Sequence, residues 1–253
     1  MTTNETLSAG DVLPDKGIPT KDRLIVALDV PDHEQARAFV GQLGDSVSFY
    51  KVGLELFMAG NYWELAAWLT GQGKKVFADL KFFDVPETVR SAVKRLHGRG
   101  VSFTTVHGND AIMRAAVEAR GEVKILAVTV LTSLDQGDLT DLGFSCNVPD
   151  LVLSRARRAL EIGCDGVISS GLEAPRLREH LGKRFLVVTP GIRPVLNKPV
   201  DDQKRTVDIE EAFRGGADYI VVGRPIRTAP DPRAAAEAIQ RRIAALYPDS
   251  ARQ

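Results

Sequence analysis

Residues 76–89 read VFADLKFFDVPETV and join the end of one strand to the start of one helix. The apolar, β-branched run at the beginning predicts a strand over 75–82. Pro86 stands where a helix can begin, because an N–H group in the first helical turn has no partner to lose. The stretch therefore predicts one strand–loop–helix unit of the kind that builds parallel sheets.

Seven more units of this kind are spread along the chain, each an apolar run followed by helical spacing of apolar residues. The predicted strands cover residues 24–30, 49–56, 75–82, 103–108, 124–132, 166–170, 185–191 and 219–226. Eight units in 253 residues match a single-domain α/β protein with the (β/α)8 TIM barrel fold. A doubly wound open sheet is the alternative, but no GxGxxG sequence follows the first strand.

The composition of the chain indicates where the folded domain begins and in which cellular compartment the protein is found. Residues 1–20 are rich in Thr, Asp, Gly and Pro, so we predict a flexible N-terminal extension and a barrel domain over 21–253. The 33 basic and 33 acidic residues cancel, which argues against a nucleic-acid partner. Cys146 and Cys164 form no metal-ligand pattern, and neither a signal peptide nor a membrane span is predicted. These features predict a cytoplasmic protein.

Asp79 and Lys81 carry opposite charges near the end of the third strand. Residues two apart on a strand point the same way, so both are predicted to face the barrel interior with Phe77. Lys51, on the second strand, can approach the same point. Buried unlike charges are costly unless they are paired, and such a cluster keeps each member ionised. Because TIM barrels carry their chemistry at the carboxyl ends of strands, this cluster is a candidate catalytic site.

A second candidate site follows strands seven and eight, where TIM barrels commonly hold phosphate. Gly191 and Gly223 allow close approach of the backbone, and Arg224 offers a forked hydrogen-bond donor to phosphate oxygens. The connection from Ile192 to Arg205 is long, as binding loops often are. Together the two sites predict an enzyme for a small phosphorylated molecule.

The stretch DLKFFDVPETV resembles the D-x-K-x-x-D-I-P-x-T-V signature of the orotidine 5'-phosphate decarboxylase family. The blocks ALDV, YKVGLELF, TVLTS, TPGIRP, DDQKR and VGRPI also resemble family sequences and follow in family order. The resemblance runs from about Leu24 to the last helix. It implies conversion of orotidine 5'-phosphate to uridine 5'-phosphate and carbon dioxide in de novo pyrimidine synthesis, with no metal or organic cofactor.

The resemblance also implies roles for the charged residues. Lys81 would stabilise and protonate the carbanion at C6 of the pyrimidine, and Asp79 would crowd the departing carboxylate. Asp29 and Lys51 would hold ribose hydroxyls. The relative weight of ground-state strain and of carbanion stabilisation stays open.

The base and the phosphate have implied contacts of their own. Thr132 would meet the pyrimidine amide, and Pro190 would line the base pocket. Gln203 would bridge base and phosphate, while Gly223 and Arg224 would hold the phosphate.

Two further residues are implied to act in the partner's site of a homodimer, namely Asp84 and Thr88. The sequence departs from the family pattern at Val85, where Ile is usual, and we expect a small effect. It departs again after the fourth strand, so His107 is interpreted as a structural histidine with satisfied hydrogen bonds.

Two other functions stay open at this point. Metal-dependent decarboxylases or aldolases of sugar phosphates share the D-x-K-x-x-D strand, but they place an acidic metal ligand where this chain has Lys51. An ammonium group there would repel a divalent cation. A non-catalytic barrel that binds phosphorylated ligands is the other alternative, and it would bind a ligand without consuming it.

Overall fold

The computed structural model describes residues 16–193 and 205–248. Within these residues, eight parallel strands follow one another in chain order and close into a barrel, because β1 pairs with both β2 and β8. The fold confirms the predicted single-domain (β/α)8 barrel. The strands are β1 (Leu24–Ala27), β2 (Phe49–Gly53), β3 (Lys75–Phe82), β4 (Val101–Val106), β5 (Lys124–Val128), β6 (Gly166–Ile168), β7 (Leu186–Thr189) and β8 (Tyr219–Val222).

Helices fill the connections between the strands and cover the outside of the barrel. Their starts follow local chemistry: Asp32 caps α1 by accepting a hydrogen bond from the Gln35 N–H, and Pro86 opens α4 as predicted. The helices are α1 (His33–Leu43), α2 (Leu54–Met58), α3 (Tyr62–Gly71), α4 (Pro86–Lys94), α5 (Asp110–Glu118), α6 (Gln136–Asp141), α7 (Val148–Ile162), α8 (Ala174–Leu181), α9 (Ile209–Arg214), α10 (Arg224–Arg227) and α11 (Pro232–Leu246).

Several predicted strands were too long at their carboxyl ends. The first ends at Ala27 and not at residue 30, and the fifth ends at Val128 and not at residue 132. The apolar runs continue because Leu28 and Val130 are buried in loops, so hydrophobicity marked burial and not sheet pairing. As a result, the polar residues at the ends of these runs sit on loops above the barrel.

The core has an inner and an outer part. Val76 and Ala78 of β3 pack outward against the helices, while Phe77 packs inward, as the predicted alternation required. Inside the barrel Phe49, Phe103 and Tyr219 pack ring against ring, with centroids 5.1–6.0 Å apart. These aromatic side chains fill the barrel below the strand ends.

The described N-terminal residues pack against the barrel. Ile18 is buried in the interior cluster, and Lys16 Nζ donates to Asp218 and to the Phe185 carbonyl. The folded part of the chain therefore includes residues 16–20, which the sequence prediction had assigned to the N-terminal extension. The earlier residues of the predicted extension lie outside the described part.

Candidate active site

A cavity opens at the carboxyl ends of the strands. Its walls come from the ends of β1, β2, β3, β5, β6, β7 and β8 and from the loops that follow them. Most of the predicted site residues line this cavity, and they are Asp29, Lys51, Asp79, Lys81, Thr132, Pro190, Gly223 and Arg224. Gln203 was also predicted, and it lies outside the described residues.

Four charged side chains form a chain of alternating sign along one wall of the cavity. Lys51 Nζ lies 3.1 Å from Asp29 Oδ1 and 3.5 Å from Asp79 Oδ2. Lys81 Nζ donates to both carboxylate oxygens of Asp79 at 2.9 Å. The order Asp29–Lys51–Asp79–Lys81 places each inner charge between two opposite ones, and we call these four residues the charged array.

Burial and neighbouring charge act against each other in the array. Burial by itself would raise the pKa of Asp79, but the charges of Lys51 and Lys81, with hydrogen bonds from Lys81 and Thr105, outweigh it and lower that pKa. Burial would likewise lower the pKa of Lys51, but Asp79 and Asp29 outweigh it and raise that pKa. The carboxylate and the ammonium are therefore both ionised near neutral pH.

Lys81 reaches Asp79 through an irregularity in β3 that the sequence did not predict. Ala78 pairs with Thr104 and Phe82 pairs with Val106, so residues 79–81 oppose the single residue Thr105. Lys81 has φ = 47°, a left-handed conformation that residues with a side chain rarely adopt. Simple alternation correctly predicted that Asp79 and Lys81 share a side, but a bulge and not a regular strand sets the direction of Lys81.

Sequence reasoning missed two residues that contact the charged array, Thr105 and Gly53. Thr105 is fully buried, donates to Asp79 Oδ1 and accepts from the Lys81 N–H, both at 2.9 Å. The inward direction of Phe103, two residues earlier on β4, was a signal that could have found it. Gly53 leaves room for the array, because a Cβ atom there would lie 3.3 Å from Lys51 Nζ.

The part of the cavity that follows β7 and β8 carries the residues predicted to hold phosphate. Arg224 and Gly223 line it, and a Cβ atom on Gly223 would lie 3.5 Å from both Ala27 Cβ and Asp29 Oδ2. Gly191 also lines it with φ = 76°, which favours glycine. Arg193 is a further lining residue that had not been singled out, and its buried guanidinium donates to the Ile192 carbonyl.

The two ends of the long connection after β7 meet beside the cavity. Ile192 and Val207 form a β-bridge, and the Arg193 N–H donates to the Val207 carbonyl. Arg205 is buried, pairs with Glu173, and donates to the carbonyls of residues 130 and 131. The backbone just before Thr132 is thereby attached to the end of this connection.

Asp84 and Thr88 are exposed, and neither is among the described residues that line the cavity of their own chain. The Asp84 carboxylate accepts a hydrogen bond from the Val85 N–H at 2.6 Å. Large apolar side chains are exposed on the same loop, with Phe83 at 67% and Val85 at 63%. Asp84 therefore projects from an apolar surface and not into the charged array.

His107 packs against Phe83, with ring centroids 5.3 Å apart. Its Nδ1 atom is buried and has no hydrogen-bond partner among the described residues, so the interpretation as a histidine with satisfied hydrogen bonds was wrong. Burial lowers the pKa of His107, and the cations Arg155 and Lys81 lower it further. The ring is therefore neutral near pH 7 and packs as an aromatic group.

The described residues include no group of three or more His, Cys, Asp or Glu side chains that could hold a metal ion. In the same part of the chain, no helix combines the length and the apolar character that crossing a membrane requires.

A TIM barrel with ionised groups at its strand ends and arginines after β7 and β8 defines a barrel enzyme for a small anionic substrate. Comparison with known proteins narrows this class. The sequence model of the Orotidine 5'-phosphate decarboxylase / HUMPS family matches residues 22–239. The chain belongs to this family.

Named relatives resemble the chain over nearly its whole length. The orotidine 5'-phosphate decarboxylase of Methylococcus capsulatus is 65% identical over 235 residues, which are 93% of this chain and 97% of the relative. That of Nitrobacter winogradskyi is 52% identical over 232 residues, covering 90% and 96%. The crystal structure of orotidine 5'-phosphate decarboxylase from Lactobacillus acidophilus superposes with a TM-score of 0.77 at 39% identity, covering 88% of this chain and 99% of that one.

Proposed function

We propose that this protein decarboxylates orotidine 5'-phosphate to uridine 5'-phosphate and carbon dioxide in de novo pyrimidine synthesis, without a metal or organic cofactor. Family membership and the named relatives support this reaction. The observation that carries it is Lys51 within the charged array, 3.1 Å from Asp29 and 3.5 Å from Asp79. An ammonium there opposes the divalent cation that the sugar-phosphate branch needs.

Lys81 is the proposed proton donor. When the bond between C6 and the carboxylate breaks, the electron pair stays on C6 and carbon dioxide departs. The ammonium of Lys81 stabilises this developing charge and then gives a proton to C6, after which water reprotonates the amine. Its contacts with Asp79 hold the ammonium in place before the charge develops, so little reorganisation is needed during the reaction.

Asp79 and its neighbours are proposed to hold the reacting part of the nucleotide. Asp79 is only 8% exposed and lines the cavity, where its carboxylate would lie beside that of the substrate. Lys51 and Asp29 would bind ribose hydroxyls, since both end groups line the cavity. Lys51 also adds a second positive charge beside the Asp79 carboxylate.

The base and the phosphate are proposed to occupy the remaining walls. Thr132 would hydrogen-bond the pyrimidine amide and Pro190 would pack against the ring. Arg224 would bind phosphate oxygens through its guanidinium, with Gly223 allowing the phosphate to approach the backbone. Gln203 would bridge base and phosphate.

A homodimer with shared sites is also part of the proposal. Asp84 and Thr88 are exposed, and the loop before α4 carries the exposed apolar side chains of Phe83 and Val85. The neighbouring connection after β2 adds Met58, which is 79% exposed. Large exposed apolar surface at one end of a barrel is typical of a protein interface. On a two-fold interface each chain would give Asp84 and Thr88 to its partner's site.

A cytoplasmic location is the last part of the proposal. Cys146 and Cys164 are both free thiols, and Cys164 is buried. Free cysteines are typical of reducing compartments.

Incubation of the purified protein with orotidine 5'-phosphate tests the reaction directly. We expect the ultraviolet absorbance of the substrate to fall as uridine 5'-phosphate forms, and we expect Lys81→Ala to abolish this change. Lys75→Ala is a matched control, because Lys75 starts the same strand and pairs with Asp22 away from the cavity. A ligand that raises Tm but is never consumed would instead support the non-catalytic barrel.

A further inference from the structure

We infer that Thr105 is a positioning residue that sets the geometry of the Asp79–Lys81 pair, an inference that rests on the proposed decarboxylation. Its hydroxyl group joins the two residues by separate hydrogen bonds. It donates to Asp79 Oδ1 and accepts from the backbone N–H of Lys81, each at 2.9 Å. Thr105 does not line the cavity, so its influence on the substrate passes through these two residues.

The hydroxyl of Thr105 takes the place of a main-chain partner in the sheet. Residues 79–81 of β3 oppose Thr105 alone, so the regular ladder between β3 and β4 is interrupted at this point. The Lys81 N–H is satisfied by the Thr105 side chain, and the ladder resumes where the His107 N–H donates to the Phe82 carbonyl. Thr105 therefore supplies the hydrogen bond that the bulge would otherwise leave unmade.

The same hydroxyl supports an unusual backbone conformation. Lys81 has φ = 47°, which costs energy for any residue with a Cβ atom and persists only where the surroundings impose it. The hydrogen bond from the Lys81 N–H holds the backbone in this conformation. In this conformation the side chain of Lys81 places Nζ within hydrogen-bond distance of both carboxylate oxygens of Asp79.

Among the described residues of β4, only Thr105 has a hydroxyl group that bonds to both the Asp79 carboxylate and the Lys81 N–H. Thr105 is completely buried and uses its one donor and one of its acceptor sites within the site. Thr104 is also completely buried, but it faces the helices and donates to the Ala78 carbonyl at 2.8 Å. The adjacent threonines are therefore equally buried and both donate to β3, but only Thr105 contacts the Asp79 carboxylate and also accepts a hydrogen bond, from the Lys81 N–H.

This difference gives the experiment a matched pair, Thr105→Val and Thr104→Val. Each variant keeps the shape of the side chain and loses one buried hydroxyl, so Tm should decrease in both, and by more for Thr105→Val, which loses two hydrogen bonds where Thr104→Val loses one. For Thr105→Val we expect kcat to fall by roughly 100-fold with little change in KM, because displacing a reacting group by about 1 Å can cost that much. For Thr104→Val we expect kcat within about threefold of wild type, since packing around the site is kept.

Two more measurements separate positioning from stability. Thr105→Ser restores the hydroxyl and is expected to recover most of the lost kcat. Binding of uridine 5'-phosphate, followed by titration calorimetry, is expected to be similar for wild type and Thr105→Val. If Thr105→Val does not fold, Thr105→Ala and Thr104→Ala replace the pair with the same expectations.

The possible failures are distinct. A wild-type protein that does not decarboxylate orotidine 5'-phosphate would overturn the proposed function itself. An active wild type with equal kcat losses in both valine variants would overturn the role of Thr105, as would a loss confined to KM. A Thr105→Ser variant no better than Thr105→Val would also overturn it.

Discussion

Lys81 Nζ lies 2.9 Å from both carboxylate oxygens of Asp79, two residues earlier on the same strand. The symmetric contact fixes the ammonium over the carboxylate and points it into the cavity that both residues line. Lys51 contacts the same carboxylate, so two cations share Asp79. The stability and the chemistry of the site should therefore both depend on Asp79 being ionised.

The first prediction concerns the pH dependence of stability. The pKa of Asp79 lies below its ordinary value of 3.8, so its contribution to the free energy of unfolding is present above pH 3.8 and is lost as pH falls through the native pKa. Asp79→Asn should destabilise the protein near pH 7 by about 3 kcal/mol, because it leaves two cations without their shared partner. Denaturant unfolding across pH checks this.

The gap between wild type and Asp79→Asn should be constant near neutral pH and should narrow below pH 3.8. Asp45→Asn is the control. Asp45 is fully exposed and its ion pair with Lys74, at 3.5 Å, lies at the surface, so this substitution should change the free energy of unfolding little. A gap that narrows already between about pH 6 and pH 5 would mean that the pKa of Asp79 is raised and not lowered.

The second prediction concerns the proposed phosphate contact. Arg224→Ala should lower kcat/KM for the nucleotide by roughly 10- to 100-fold, because hydrogen bonds to charged groups contribute about 1.5–3 kcal/mol. It should hardly change the slow reaction of a substrate that lacks phosphate. Arg227→Ala, on the same short helix but outside the described cavity lining, is the matched control. Equal losses on both substrates would show that Arg224 acts through the fold.

The third prediction concerns the shared site. Lys81→Ala and Asp84→Ala should each be inactive alone and should recover activity when mixed under conditions that exchange subunits. In a mixed dimer one site carries both lesions and the other carries none. Random pairing makes half of the dimers mixed, so about a quarter of all sites should be intact. Lack of recovery after verified exchange would place both residues in one chain's site.

The fourth prediction concerns metals. Exhaustive chelation should leave turnover unchanged, and added magnesium should not raise it, because the raised pKa of Lys51 keeps a positive charge within the array. Turnover measured before chelation, after chelation and after magnesium is restored checks this. Activity that disappears with the chelator and returns with magnesium would assign the chain to the sugar-phosphate branch.

Much of the barrel fold could be predicted from local patterns in the sequence. The eight apolar runs and the helical spacing between them predicted the strands in the right order, because side-chain periodicity and helix-start chemistry are properties of neighbouring residues. The same local logic predicted that Asp79 and Lys81 share one side of β3 and that Pro86 starts a helix. It did not separate strand from buried loop after Ala27 or Val128, since both bury apolar side chains.

What the tertiary structure decided is how distant residues meet. The sequence by itself determined the kinds of charge at the strand ends, but only the pairing of β2, β3 and β4 brought Lys51 within 3.5 Å of Asp79 and placed Thr105 between Asp79 and the Lys81 backbone. The bulge at residues 79–81 arises from pairing with β4, more than twenty residues further along the chain. Such contacts depend on the register of neighbouring strands, which packing of the whole barrel sets and no local pattern encodes.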